Sequence, residues 1–215
     1  MSKYLTEFIG TFFLVLTICL MSVRGTDLTA LAVGAVLTAM VYMGGHISGA
    51  HYNPAISVAF LLRGKFPARD LVPYWVAQIA GALAAAGVAL VIADQPYNPP
   101  APAADASVMA AIGTEILFTF ALALVILNVA TTKATEGNAF YGLAIGLTVA
   151  AGAFAGGPIS GGVFNPAVGI GPILVDVIDG GNSAGHLWMY LVGPLVGAAL
   201  AVGAYSMQHG GLTGD

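Results

Sequence analysis

Charge is scarce in this sequence. Only 7% of its 215 residues are Asp, Glu, Lys or Arg, against about a quarter in an ordinary soluble domain. A water-soluble globule is thereby excluded. The six Lys and Arg residues are scattered, so there is no basic patch to hold nucleic acid. Cysteine is limited to Cys19, which has no intrachain partner and says nothing about redox compartment. His46 and His51 have no Cys or carboxylate at metal-ligand spacing, and His186 and His209 look peripheral. No nucleophile is accompanied by a base and an orienting group, and no phosphate-binding loop occurs. Neither an enzyme nor a cofactor is expected.

Apolar residues fill the space that charge leaves. Hydrophobic side chains make up 58% of the chain and the mean hydropathy is +0.90. Glycine, at 29 residues, is in excess, as expected where helices in lipid pack by close backbone approach. Runs long enough to cross a bilayer as helices cover Tyr4 to Val23, Thr29 to Gly45, Val72 to Ala93, Val108 to Val129, Phe140 to Gly156 and Leu187 to Met207. The first resembles a signal peptide in having a Lys ahead of an apolar run. Glu7 lies inside that run and no small-residue cleavage site follows, so it reads as a retained span.

One phrase is written twice. "GGHISGAHYNPA" from Gly44 returns as "GGPISGGVFNPA" from Gly156, identical at eight of twelve positions. "TEFIGTFF" from Thr6 answers "TEILFTFA" from Thr114, and "LAVG" from Leu31 answers "LAIG" from Leu143, at offsets of 108 and 112 residues. After each phrase comes a short apolar stretch, "NPAISVAFLL" or "NPAVGIGPILV". Both open with Asn-Pro, where Asn caps a helix and Pro suits its first turn, and both read as half-helices. The chain is therefore expected to be two halves, 1–95 and 106–215, in one channel-sized domain. Each half has three spans and one half-helix; an odd number of crossings turns the second upside down, an inverted repeat. Lys3, Arg63, Lys65, Arg69 and Lys133 then share one side and Arg24 takes the other. The first side, with both termini, is expected to be cytoplasmic. Short termini and loops point to the cell (inner or plasma) membrane of a microbe. "DQPYNPPAPAAD", from Asp94, becomes an external extended connector.

Half-helices entering from opposite faces would meet mid-membrane with their positive dipole ends together. Capping uses the side-chain oxygens of Asn53 and Asn165 and leaves their amide NH2 groups facing the space between. The Gly-rich segments ahead of them are not expected to be helical, and irregular backbone at membrane depth must be buried or line a wet cavity. The carbonyls of Gly49, Ala50, His51 and Tyr52, and of Gly161, Gly162, Val163 and Phe164, are thus candidate acceptors along a passage. Glu7 and Glu115 are ionisable groups within spans, by default functional. A proton relay would defeat an uncharged passage, so they are expected to accept loop N–H groups and hold those carbonyls in place. His46 is expected to have a structural hydrogen bond, and "GLAIG", "GAFAG" and "GPLVG" read as close helix contacts.

These motifs, Asn53-Pro54-Ala55 and Asn165-Pro166-Ala167 with a Glu in the first span of each half, resemble the aquaporin or major intrinsic protein family over nearly the whole chain. The resemblance implies an all-α membrane protein of six transmembrane helices plus two re-entrant half-helices. It also implies a homotetramer with one pore per subunit, passive conduction and exclusion of protons. The family's four filter positions fall on Val33, Ala153, Gly162 and Val168. The family's usual arginine is replaced by Val168, the histidine of narrow water channels by Ala153, and the aspartate of glycerol facilitators by Gly169. "NPAVGIGP" is similar to some plant tonoplast intrinsic proteins. A wide apolar filter passing water with hydrogen peroxide, ammonia, urea or glycerol is the expectation. Two alternatives stand beside it: a secondary transporter of a small solute, which also uses inverted repeats, and a structural membrane protein that conducts nothing.

Overall fold

The computed structural model describes residues 1–212; the last three residues of the expected second half, 213–215, lie outside the described residues. The described residues are all helix and loop. Six long helices are α1 (Ser2–Arg24), α2 (Thr29–Ser48), α4 (Leu71–Ala93), α5 (Val108–Ala130), α6 (Tyr141–Ser160) and α8 (Leu187–His209); two short ones are α3 (Pro54–Leu62) and α7 (Pro166–Ile178). The six long helices are long and apolar enough to cross a membrane. Their outward faces carry large apolar side chains such as Val72, Val91, Leu117 and Met207, the pattern of a surface whose solvent is lipid. Hydroxyls within the spans return to backbone: Thr11, Thr38, Thr114 and Thr148 each donate to the carbonyl four residues earlier.

Adding four to each helix number maps the packing onto itself. α1 lies on α4 and α2 as α5 lies on α8 and α6, and α4 meets α7 as α8 meets α3. α2 crosses α6 between the halves. That crossing is made by glycine: a Cβ on Gly34 would stand 2.6 Å from both the Gly146 carbonyl oxygen and the Ala150 Cβ. Gly81 faces the Phe8 carbonyl, and Gly197 of "GPLVG" faces the Ile116 carbonyl in the matching place. With lipid outside, such contacts supply the van der Waals attraction that hydrophobic burial supplies in water.

α2 and α6 run three and four residues past the expected Gly45 and Gly156, to Ser48 and Ser160. The glycine pairs and Pro158 look like breakers, yet the helices stop only at Gly49 and Gly161, whose φ of 85° and 93° form left-handed caps. The extra turn is what brings Ser48 and Ser160 into the centre of the molecule.

Candidate functional site

The two short helices start at their asparagines. Asn53 and Asn165 adopt extended backbone and each side-chain oxygen accepts a hydrogen bond at 2.9 Å, from Ala55 N–H and Ala167 N–H. Proline at the next position lacks an N–H that a first turn could not pair in any case. The asparagines then reach across: Asn53 Nδ2 donates to the Phe164 carbonyl and Asn165 Nδ2 to the Tyr52 carbonyl, both at 2.9 Å. The tips of α3 and α7 are thus joined by a reciprocal pair of bonds. This differs from amides left wholly free, and it removes Tyr52 and Phe164 from the candidate acceptor ladder. A primary amide has two N–H groups, so each asparagine keeps one; both residues line the cavity described below.

The backbone entering each tip is strained and held. Ala50, Tyr52 and Phe164 have φ of 50°, 48° and 51°, a left-handed conformation worth roughly 1–3 kcal/mol of strain for a side chain other than glycine. Glu7, fully buried, opposes it. Its Oε1 accepts from Ser48 Oγ at 2.6 Å and His51 N–H at 3.0 Å, its Oε2 from Tyr52 N–H at 2.7 Å and Gln78 Nε2 at 2.8 Å. Glu115, equally buried, accepts from Ser160 Oγ at 2.7 Å, Val163 N–H at 3.0 Å and Phe164 N–H at 2.7 Å. The serine oxygens in turn accept from Ala50 and Gly162 N–H. Tyr74 and Tyr190 hydroxyls close each cluster on the Ser48 and Ser160 carbonyls, at 2.7 and 2.6 Å. Charge-assisted bonds of this kind are about twice as strong as neutral ones. Each carboxylate therefore fixes the residue whose carbonyl grips the opposite asparagine.

With their N–H groups taken, the carbonyls of Gly49, Ala50 and His51, and of Gly161, Gly162 and Val163, accept no hydrogen bond among the described residues. Ala50, His51, Gly162 and Val163 line a narrow cavity of about 40 Å³, together with Tyr52, Asn53, Phe164 and Asn165. The facing wall is aliphatic, with Leu14, Val33, Leu37, Leu122, Val149 and Val168 among its members. At roughly 10–15 Å³ per water centre, that is room for a file of about three waters. Through Val41, Ala50, Ile126 and Ile145 the cavity meets a wide vestibule of about 730 Å³.

Not every expected residue reaches the wall. Pro54, Ala55, Pro166 and Ala167 are buried behind it, building the helix starts. Of the expected filter, Val33, Gly162 and Val168 line the cavity and Ala153 does not; its Cα stands 3.5 Å from where a Cβ on Gly162 would lie. Gly49 faces the vestibule, and Gly161 lines neither space. The structural hydrogen bond expected of His46 is not found among the described residues: the side chain is exposed on the vestibule wall, where water can satisfy it. His51 is buried against Phe60, ring centroids 4.2 Å apart, with Nδ1 3.1 Å from Ser57 Oγ. Ser48, Ser160, Gln78, Tyr74 and Tyr190 were not singled out in the sequence. Only the serines left a signal, standing at the same place in both copies of the repeated phrase.

The wider likeness agrees with this geometry. The sequence signature described as major intrinsic protein matches residues 1–205. Aquaporin NIP1-4 of Oryza sativa subsp. japonica is 38% identical over 98% of this chain and 77% of its own length. Aquaporin NIP1-1 of Zea mays is 36% identical over 95% of this chain and 74% of its own. Glycerol uptake facilitator protein-like 6 of Lactiplantibacillus plantarum is 38% identical over 94% and 95%. In fold, the chain superposes on the aquaglyceroporin from Plasmodium falciparum with a TM-score of 0.82 at 23% identity, covering 95% and 94% of the two chains. The relatives are NIP-type aquaporins and glycerol facilitators, which corrects the tonoplast likeness suggested by "NPAVGIGP". That octapeptide reports only local Gly and Pro packing in α7, whereas identity spread over the chain reports the whole bundle. The chain, an integral membrane protein with six spans and no enzyme, belongs to the major intrinsic protein family of channels.

Proposed function

We infer that the protein is a passive pore for water and small neutral solutes, such as hydrogen peroxide, ammonia, urea and glycerol, with a wide apolar filter. One observation carries this reading: a cavity bounded by Asn53 and Asn165 at cross-bonded helix tips, sharing the wall residues Val41, Ala50, Ile126 and Ile145 with a large vestibule. The remaining N–H of each asparagine and the two helix N-termini present only positive potential at the centre. A water there is oriented by its oxygen, and a cation is repelled. Unpaired carbonyls on either side, from residues 49–51 and from Gly162 and Val163, replace lost hydration. The names of the relatives, aquaporins and glycerol facilitators, support the same solute class.

At the filter, Val33, Gly162 and Val168, with Ala153 behind Gly162, offer no cation and no bulky aromatic ring. Selection there rests on size and on the polarity of nearby backbone. The halves 1–95 and 106–215 are read as an inverted repeat, with the Lys3, Lys65 and Lys133 end cytoplasmic in a cell membrane and four copies assembling. A carrier would want a charged ligand for its coupling ion in the lumen. Glu7 and Glu115 are fully buried, occupied by loop donors and absent from the cavity wall, which favours the pore.

Stopped-flow permeability of proteoliposomes to water, urea, glycerol and hydrogen peroxide tests the reading, repeated with Val168→Arg. The native chain is expected to raise water permeability above bare lipid with a low activation energy and no saturation. Val168→Arg is expected to cut solute flux more than water flux. Saturable counterflow would establish a carrier; permeability equal to lipid would establish a non-conducting protein; equal solute exclusion before and after the substitution would remove the wide filter.

A further inference from the structure

The segment joining α4 to α5, residues 94–107, has no helix or strand and carries prolines at 96, 99, 100 and 102. Structureless loops of this length are usually either functional or mobile. This one is tied down along its path. The Asn98 backbone N–H donates to Ser22 Oγ at 3.2 Å and Asn98 Nδ2 to the Ser22 carbonyl at 3.1 Å, near the end of α1. Further on, Ala103 N–H donates to the Ile159 carbonyl at 3.1 Å, near the end of α6. Beside the first tie, Tyr97 turns inward and is only 4% exposed, while its neighbours Pro96 and Asn98 are exposed. Its hydroxyl donates to the Pro172 carbonyl at 2.9 Å. Pro172 lies four residues, one helical turn, beyond Val168 on the same face of α7.

Between these ties the loop passes against Gly161, one residue from the cavity wall. A Cβ on Gly161 would stand 3.0 Å from the Ala101 carbonyl oxygen and 3.2 Å from its nitrogen, and the next residue, Gly162, is in the cavity wall. Val33 and Val168, also in the wall, are small and apolar. These side chains bring no hydrogen-bond donor, so selection at this end falls to size and to nearby backbone. Ala101 is exposed and carries only a methyl group, so its main-chain atoms are open to a passing solute.

We propose that Tyr97 is a positioning residue for solute selection: its bond to α7 sets the loop in register with Val168, so that the backbone at Ala101 forms the rim of the far mouth and sets the size of solute admitted. The proposal rests on the pore reading above. A phenylalanine would fill the same space, so the hydroxyl is needed for register and not for packing.

The test compares the native chain, Tyr97→Phe and Ala101→Leu in proteoliposomes, with flux of water, formamide, urea, glycerol and erythritol normalised to folded protein. Tyr97→Phe is expected to move the size cut-off upward, and Ala101→Leu downward, each read as the ratio of solute flux to water flux in the same vesicles. Flux of the solute at the cut-off should change by roughly two- to tenfold, the range over which one neutral hydrogen bond biases a two-state population. Solute and water moving in parallel, or ratios unchanged in both variants of a conducting protein, would overturn the proposal while leaving the pore reading intact. A native chain that adds nothing to lipid permeability would overturn both.

Discussion

Glu115→Gln separates support by the buried carboxylate from support by packing, because the side chain keeps its size and loses one acceptor. Turned one way, the amide oxygen keeps Ser160 Oγ and Val163 N–H, and Nε2 then faces the Phe164 N–H that the carboxylate now accepts at 2.7 Å. A charge-assisted bond of about 1.5–3 kcal/mol is lost and a buried donor is left unpaired at a further ~1–3 kcal/mol. Removing a buried charge returns part of its desolvation cost, several kcal/mol. A net local loss of about 2–3 kcal/mol is a factor of roughly 30–150 in population. Phe164 sits at φ 51°, so the released peptide has its own strain to relieve by rotating. Relaxation of φ at Phe164 turns the next peptide as well, and so withdraws the Phe164 carbonyl that holds Asn53 Nδ2 at 2.9 Å. Osmotic water permeability per folded channel, from stopped-flow light scattering of proteoliposomes, should fall at least about tenfold, and the melting temperature in detergent should drop. A double-mutant cycle with Asn53→Ala should show coupling above about 0.5 kcal/mol, since both substitutions act on one residue, Phe164, through its N–H and its carbonyl. Native permeability with an unchanged melting temperature, or strict additivity in the cycle, would refute the reasoning.

Two further outcomes follow from named contacts. Gly34→Ala should destabilise the protein by about 1–3 kcal/mol through overpacking, because its Cβ meets the Gly146 carbonyl at 2.6 Å. Gly203→Ala meets nothing within 4 Å and should be neutral or slightly stabilising; equal melting temperatures for the two variants in detergent would contradict this. Asn53→Asp keeps the cap on Ala55 N–H but sets an oxygen against the Phe164 carbonyl that Nδ2 now meets at 2.9 Å. Water permeability should fall and sodium flux should appear, and sodium exclusion with native water flux would show that the amide is not what excludes cations.

Much of this was legible in the sequence, for physical reasons. Six apolar runs are long because a bilayer demands length, and Asn-Pro marks a helix start because of what each residue does to backbone N–H groups. Glu7 and Glu115 stood out because a carboxylate in an apolar run must find donors. The extra turn ending α2 and α6 was not legible. Glycine pairs and Pro158 are breakers in isolation, and only the packing around them keeps the helix going to Gly49 and Gly161. The bonds from Asn53 to Phe164 and from Asn165 to Tyr52 were hidden too, since each spans more than a hundred residues and depends on the tips touching. Tyr97, in a loop that read as a simple connector, left no periodicity to detect.

The reciprocal asparagine bonds have a mechanical consequence. Because each tip holds the other, α3 and α7 behave as one strut at mid-height, and bending or tilting of the surrounding helices is transmitted to the ends of the bundle and not to its waist. Thinning, stretching or stiffening the lipid should therefore alter the mouths while the bore at the centre keeps its width.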